Sequence, residues 1–516
     1  MDPGWMASAR AEGPGDGMMQ PPKREDPPTG SSEPGGRLAV PGRWPCFVVA
    51  TVLSLYFIVF VRGLPPSGDE AWYLERATLV LDLLAHAGRF DWAAVSGILD
   101  RIVDRGWFMP GMPVLIAMGT VFGRSIVVLR LYLGVLNFLL VCLIAKSLFK
   151  RNGRIASLVF LLVPVALPYY VIYSFLFWGD LLAAHTFLLL GSWLVGQIES
   201  CEGEGLSPRR GILLGLGLAV VTYLRGAYWL CLPLLLVGIF LSSYGRGILR
   251  ERLRHFALVG GLCSLAFVFA LAPWTILVSR SHGFHVTTTS MTMSQIIAFG
   301  DPEYVGSIGD PRESNPFFRV HRHIQDRARA AGRSFRDQAG VELERATDHL
   351  TLKGYVDRVR RNLRSYWLDS EAFMKRFETI SRAGGRILPP DGWRGIFESA
   401  ERLNHGVWRV LLSLGILLFA IPVSADRRSL ILSMLYKYVF FFFSLQPFFA
   451  VAHGRYYVQY VPFIAMAAGA AIVAVREGRF WPSWSRPGLD GGIVLAGQLL
   501  AMASATAILM LILVEA

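Results

Sequence analysis

The stretch "MPGMPVLIAMGTVFG", residues 109–123, is apolar for most of its length, yet it opens with two prolines and contains three glycines. At ~1.5 Å per helical residue it covers roughly 22 Å, short of the ~30 Å hydrocarbon core of a bilayer. Whether it crosses decides the orientation of everything after it. The flanking chain is rich in longer apolar runs, at 45–62, 125–148, 154–174, 176–197, 211–225, 227–243, 256–279, 406–424, 429–451, 456–476 and 491–513. Charge arbitrates. With a cytoplasmic N-terminus (Lys23, Arg24, Arg37, Arg43) and a segment 109–123 that stays at the outer interface, one arrangement follows. Lys146-Lys150-Arg151-Arg154, Arg209-Arg210, Arg246-Arg250-Arg252-Arg254, Arg427-Arg428 and Arg476-Arg479 all then fall inside, as the positive-inside rule requires. If the segment crossed, each of those clusters would flip outward. The expectation is an all-α polytopic membrane protein of about eleven transmembrane helices with outer juxtamembrane helices.

Composition agrees with that class. Of 516 residues, 53% are hydrophobic and 17% charged, where soluble domains carry about a quarter charged. The net charge of +13 would suit nucleic acid, but the basic residues concentrate in short segments between apolar runs, which points to topology and against that partner. The five cysteines (Cys46, Cys142, Cys201, Cys231, Cys263) show no Cys-x-x-Cys spacing, so the sequence offers neither a zinc site nor a disulfide framework. Residues 1–44 are rich in Pro, Gly and charge and lack an apolar signal-peptide core; they read as a disordered cytoplasmic tail.

Four regions result: the tail 1–44, a transmembrane module 45–279 with an outer loop 63–124, an extracytoplasmic, mainly helical polar segment 280–405, and C-terminal transmembrane helices 406–516. Helical periodicity in the polar segment runs from about 334 to 380. Within the outer loop, "RGLPPSGDEAWYLERA", residues 62–77, places two adjacent carboxylates at the start of an expected helix, 68–87, whose apolar face includes Trp72, Leu79 and Leu83 and is able to rest on the bilayer. The local explanation for the acids is a capping box, Ser67 with Glu70, in a first turn whose dipole favours negative charge.

Sorting the other polar groups by leaflet gives a second explanation. Asp180 lies just inside the outer end of its run, and ionisable groups inside spans are costly and usually functional. Arg130, Arg225, Arg280 and Arg455 lie near outer ends of spans. Each alone is an interfacial anchor. Together they could receive a lipid phosphate, which guanidinium groups match in a bidentate way, while Asp69 or Asp180 takes a proton from an acceptor hydroxyl. His185, deeper in the same run as Asp180, reads as a hydrogen-bonded interior histidine. A transporter or flippase for a lipid-linked or anionic solute would use the same arginines but needs midplane ionisable residues and broken helices, and the runs hold few such residues.

These residues carry a resemblance to the GT-C glycosyltransferases of the protein mannosyltransferase and aminoarabinose transferase kind, glycosyltransferase family 39, over most of 45–475. "PPSGDEAWYLERA" is similar to that family's first outer loop, where an Asp-Glu pair opens a juxtamembrane helix. "MPGMPVLIAMGTVFGRSIVVLRL", "LPYYVIYSFLFWGDLLAA", "LAVVTYLRGAYWLCLPLLL", "APWTILVSRSHGFHVTTTS" and "HGRYYVQYVPFIAMAAG" resemble later family segments in the same order. The resemblance implies a polyprenyl-phosphate sugar donor entering from the bilayer, a glycan, lipid or protein acceptor, an extracytoplasmic site and inversion at the anomeric carbon. It assigns Asp69 as general base with Glu70 beside it, Asp180 as its partner, and Arg225 and Arg455, with Arg130 and Arg280, as donor-phosphate ligands. Phe108 stands where the family has His or Lys, and Leu181-Leu182 replaces its Glu-Pro. That leaves a divalent cation as an open expectation rather than an assigned cofactor.

Overall fold

The computed structural model describes residues 43–66, 69–104, 106, 108–201, 203–243, 248–283, 288–309, 316–368, 394–420, 427–452, 454–477 and 499–505. These belong to one compact unit and, among them, no residue lies in a strand. Most of the expected tail 1–44 and of the expected last span 491–513 falls outside the described residues, as does Ser67 of the capping box.

Among the described residues, six helices are long and apolar enough to cross a membrane: Trp44–Val61, Ile126–Val165, Gly179–Ser200, Leu249–His282, Arg394–Ala420 and Tyr456–Arg476. The first is α1 (Arg43–Tyr56) extended by a π-helical turn, Phe57–Val61. The 40-residue α5 (Ile126–Val165) is two helices divided at Gly153. With φ 79° and ψ −177°, Gly153 holds a backbone conformation essentially closed to other residues. The two expected runs 125–148 and 154–174 therefore meet at the "KRNGR" loop, where the charge pattern puts a turn. Shorter apolar helices follow α7 (Gly179–Ser200): α8 (Pro208–Leu224) and, after a 3₁₀ stretch Gly226–Cys231, α9 (Leu232–Ser242).

The deciding stretch holds only α4 (Gly111–Gly119), nine residues, about 14 Å at the helical rise. It packs against α2 (Asp69–Gly88), α5 and α8. The apolar face of α2 is spent on protein rather than bilayer, a correction to the interfacial reading: Trp72 and Leu79 are buried, and Phe108 lies against the rings of Trp72 and Tyr73 at 4.5 and 5.1 Å. Leu83 is only half-buried. α2 packs on α4 and on α3 (Trp92–Val103), which removes apolar side chains such as Trp72 and Leu79 from water.

The polar segment is helical, as α10 (Leu249–His282) gives way to α11 (Ser290–Phe299), α12 (Pro302–Ser307), α13 (Pro316–Ala331), α14 (Phe335–Thr347) and α15 (Leu352–Trp367). The continuous periodicity expected over 334–380 is interrupted at Asp348–Thr351, where Thr351 caps α15 by accepting from Gly354 N at 3.1 Å. Met293, Ile296, Val320, Ile324, Phe335 and Ala339 belong to a small core of its own. Residues 369–380 of that expected stretch lie outside the described residues; the next described helix, α16, starts at Arg394, well before the expected boundary at 406, and runs to Ala420. It is followed by α17 (Arg427–Ser444), α18 (Gln446–Phe449), a 3₁₀ stretch Gly454–Tyr460 and α19 (Val461–Arg476).

Candidate functional site

Between α6 (Pro168–Tyr173) and α7 the backbone leaves the helix, yet every residue from Ser174 to Trp178 is buried. Buried irregular backbone in an apolar bundle must find partners. Asn137 Nδ2 donates to Ser174 O at 2.8 Å, and Phe177 N donates to Glu70 Oε1 at 3.2 Å. Asn137 Oδ1 also holds His185 Nδ1 at 2.8 Å, while Tyr170 OH meets His185 Nε2 at 2.9 Å. With both ring nitrogens engaged, His185 is the interior hydrogen-bonded histidine expected of it.

Glu70 and Arg130 are fully buried and face each other. Arg130 Nη2 donates to both carboxylate oxygens, at 3.1 and 3.0 Å. Its Nη1 donates to Val61 O at 3.1 Å and Leu64 O at 2.5 Å. The pair thus ties the C-terminal end of the first span, the start of α2, α5 and the 174–178 turn into one joint. Glu70 was expected beside the base and Arg130 at a phosphate; both are buried and bonded to each other, an arrangement that also serves as a structural clamp.

The other acid–arginine pair is more accessible. Asp180 Oδ1 lies 3.0 Å from Arg225 Nε, with the carboxylate 5% and the guanidinium 24% exposed. The contact is ionic in distance, but Asp180 Oδ1 receives no aligned hydrogen bond. Two glycines set this geometry. A Cβ on Gly179 would overlap the Leu224 carbonyl, and one on Gly111 would overlap that of Tyr223, so α4 and α7 press their starts against the last turn of α8. Arg225 follows in extended conformation, its guanidinium 5.0 Å from the Tyr456 ring.

Asp69 sits half-buried at the start of α2, next to Glu70, whose partner Phe177 is three residues before Asp180. The two candidate carboxylates therefore share one end of the bundle. The four arginines do not converge equally. Arg225 is at Asp180, Arg130 is in the clamp, and Arg280 is exposed near the end of α10. The side chain of Arg455 lies outside the described residues, although its backbone adjoins Tyr456, which holds Arg225. Among the described residues no group of three His, Cys, Asp or Glu side chains is arranged to hold a metal ion.

Several tyrosines enter this neighbourhood that the sequence reading did not select. Tyr228 and Tyr366 lie within electrostatic reach of both Asp180 and Arg225. Tyr366 OH is 2.5 Å from Tyr460 OH and donates to Phe443 O at 3.1 Å, so the last turn of α15 plugs into the bundle. Tyr228 was available from "RGAYWL", three residues past Arg225; nothing in "RSYWL" marks Tyr366 beyond an amphipathic pattern.

The apolar helices and these buried polar joints define a helical membrane protein. Scans against protein-family models and against curated proteins return no match.

Proposed function

We propose that this chain is an integral-membrane glycosyltransferase, with about eleven spans in a GT-C-like bundle, its N-terminus in the cytoplasm and its site on the opposite face. It moves a sugar from a polyprenyl phosphate to an acceptor hydroxyl of a glycan, lipid or protein. The observation that carries the reading is the Asp180–Arg225 pair, held by Gly179 at the same end of the bundle as Asp69.

In this reading Asp69 takes the proton of the acceptor hydroxyl. The resulting oxygen attacks the anomeric carbon from the face opposite the phosphate, and the bond from that carbon to the phosphate oxygen breaks with inversion. Arg225, the most exposed guanidinium at the pair, offsets charge growing on the departing polyprenyl phosphate. Arg455 is a second candidate for the same phosphate.

Membranes containing the chain, incubated with labelled polyprenyl-phosphate sugars, should release free polyprenyl phosphate and label an acceptor. Asp69→Asn should lower that transfer by about 10²–10⁴-fold, the usual worth of a general base, with an unchanged thermal midpoint in detergent. Retained transfer in Asp69→Asn removes its role. Passage of intact donor across the membrane, with no release of lipid phosphate, favours a transporter.

A further inference from the structure

Two of the bundle's buried polar atoms that lack a hydrogen-bond partner lie near Arg225. Tyr228 is 0% exposed, its ring packed on Phe187 and Phe443 at 5.5 and 5.1 Å, yet its hydroxyl has no hydrogen-bond partner. Asp180 is 3% exposed and its Oδ1 also lacks an aligned donor. The neighbouring buried hydroxyl of Tyr366, by contrast, is bonded to Tyr460 and Phe443. Buried hydroxyls and carboxylates left without partners are rare, because desolvation is costly and uncompensated. Here the Tyr228 hydroxyl is unbonded and the Asp180 carboxylate meets Arg225 as an ion pair without an aligned hydrogen bond, so a ligand group would complete both.

The chemistry of the two atoms selects that group. A carboxylate oxygen accepts only, so it repels phosphate and calls for a donor; a tyrosine hydroxyl can donate to an acceptor or accept in turn. A neutral hydroxyl has the chemistry for both, donating to a carboxylate oxygen and accepting from a tyrosine O–H. We propose that Asp180 and Tyr228 form a subsite for one hydroxyl of the transferred sugar, leaving the phosphate to the more exposed Arg225. This rests on the glycosyltransferase reading and deepens it: Asp180 becomes a sugar-recognition residue, and the sugar must carry a free hydroxyl at the position that enters the subsite.

The test is Tyr228→Phe, which deletes one oxygen from a buried, unbonded position. Without ligand its thermal midpoint should equal or exceed that of wild type; a clear drop shows that the hydroxyl is already satisfied within the fold and overturns the proposal. Transfer is then compared between a polyprenyl-phosphate hexose and its monodeoxy analogues. For the parent sugar, Tyr228→Phe should lose roughly tenfold to a hundredfold in kcat/KM. For one deoxy analogue, already poor with wild type, it should change little. Equal losses on every analogue, or no loss on the parent, overturn the subsite. Protection by sugar-free polyprenyl phosphate should be the same in both proteins. Absence of transfer by wild type with any donor would sink the enzyme reading instead, while the ligand-free stability comparison still decides whether the hydroxyl is unsatisfied.

Discussion

Asp69 and Glu70 are chemically alike and adjacent, yet their surroundings separate them. Glu70 sits in a fully buried joint with Arg130, where removing one charge strands the other; Glu70→Gln should therefore cost about 3–5 kcal/mol, read as a lowered thermal midpoint or loss of monodisperse protein in detergent. A stable Glu70→Gln variant that merely lost activity would return Glu70 to the chemistry. Glu342 is a third kind of carboxylate, outside the membrane-spanning part. It is buried among Tyr304, Gln338 and His323, with Gln338 Nε2 donating at 2.6 Å. Burial pushes its carboxyl upward, but the hydrogen bonds from Tyr304 and Gln338 and the nearby His323 outweigh that and hold it below the ordinary range. Its stabilisation is thus present above the unfolded-state value and lost as pH falls through the lower folded value. Between about pH 5 and pH 3 the thermal midpoint of wild type should fall more steeply than that of Glu342→Gln, and parallel profiles would exclude the effect.

Glycines and polar joints set how closely several elements meet within a large hydrophobic core. Gly179→Ala would drive a Cβ into the Leu224 carbonyl and push α7 from α8, so the Asp180–Arg225 contact should open and transfer should fall. A misplacement of about 1 Å is enough for a loss on the order of 100-fold. Gly261→Ala, where a Cβ meets nothing within 4 Å, is the matched control and should be silent. Equal activities in the two variants would show that the packing of α7 on α8 does not position the pair. The sequence signalled the α5 division through the basic cluster between the runs 125–148 and 154–174, because the positive-inside rule acts locally; that Gly153 makes the turn came from the coordinates. The burial of Trp72 and Leu79 against α4 was not legible, because an apolar helix face looks the same whether a bilayer or a protein covers it.

For the molecule as a whole, the shorter helices between the spans are anchored to the bundle by hydrogen bonds to backbone. His282 Nε2 meets Val103 O at 2.9 Å, Tyr355 OH donates to Phe448 O at 2.8 Å, and Trp408 Nε1 donates to Trp367 O at 2.7 Å. Orientation can be tested in a Cys201→Ser background with single cysteines at exposed Val121 and at Lys150 in the loop beside Gly153. Val121→Cys should react with a membrane-impermeant maleimide on intact cells, and Lys150→Cys only after permeabilisation. The opposite pattern would put the candidate site in the cytosol and end the proposed donor geometry.

By itself the sequence determined that this is a helical chain built for a bilayer, and it marked Asp180 and four arginines, Arg225 among them, as costly charges near one rim. Hydropathy and charge are sums over neighbouring residues, so they survive without coordinates. Only the tertiary structure decided that Glu70 and Arg130 neutralise each other, that Arg225 rather than Arg130 reaches Asp180, and that Tyr228 brings an unsatisfied hydroxyl beside them. Those outcomes depend on which side chains distant in sequence come within about 3 Å, and hydrogen bonding and ion pairing are decided at that range.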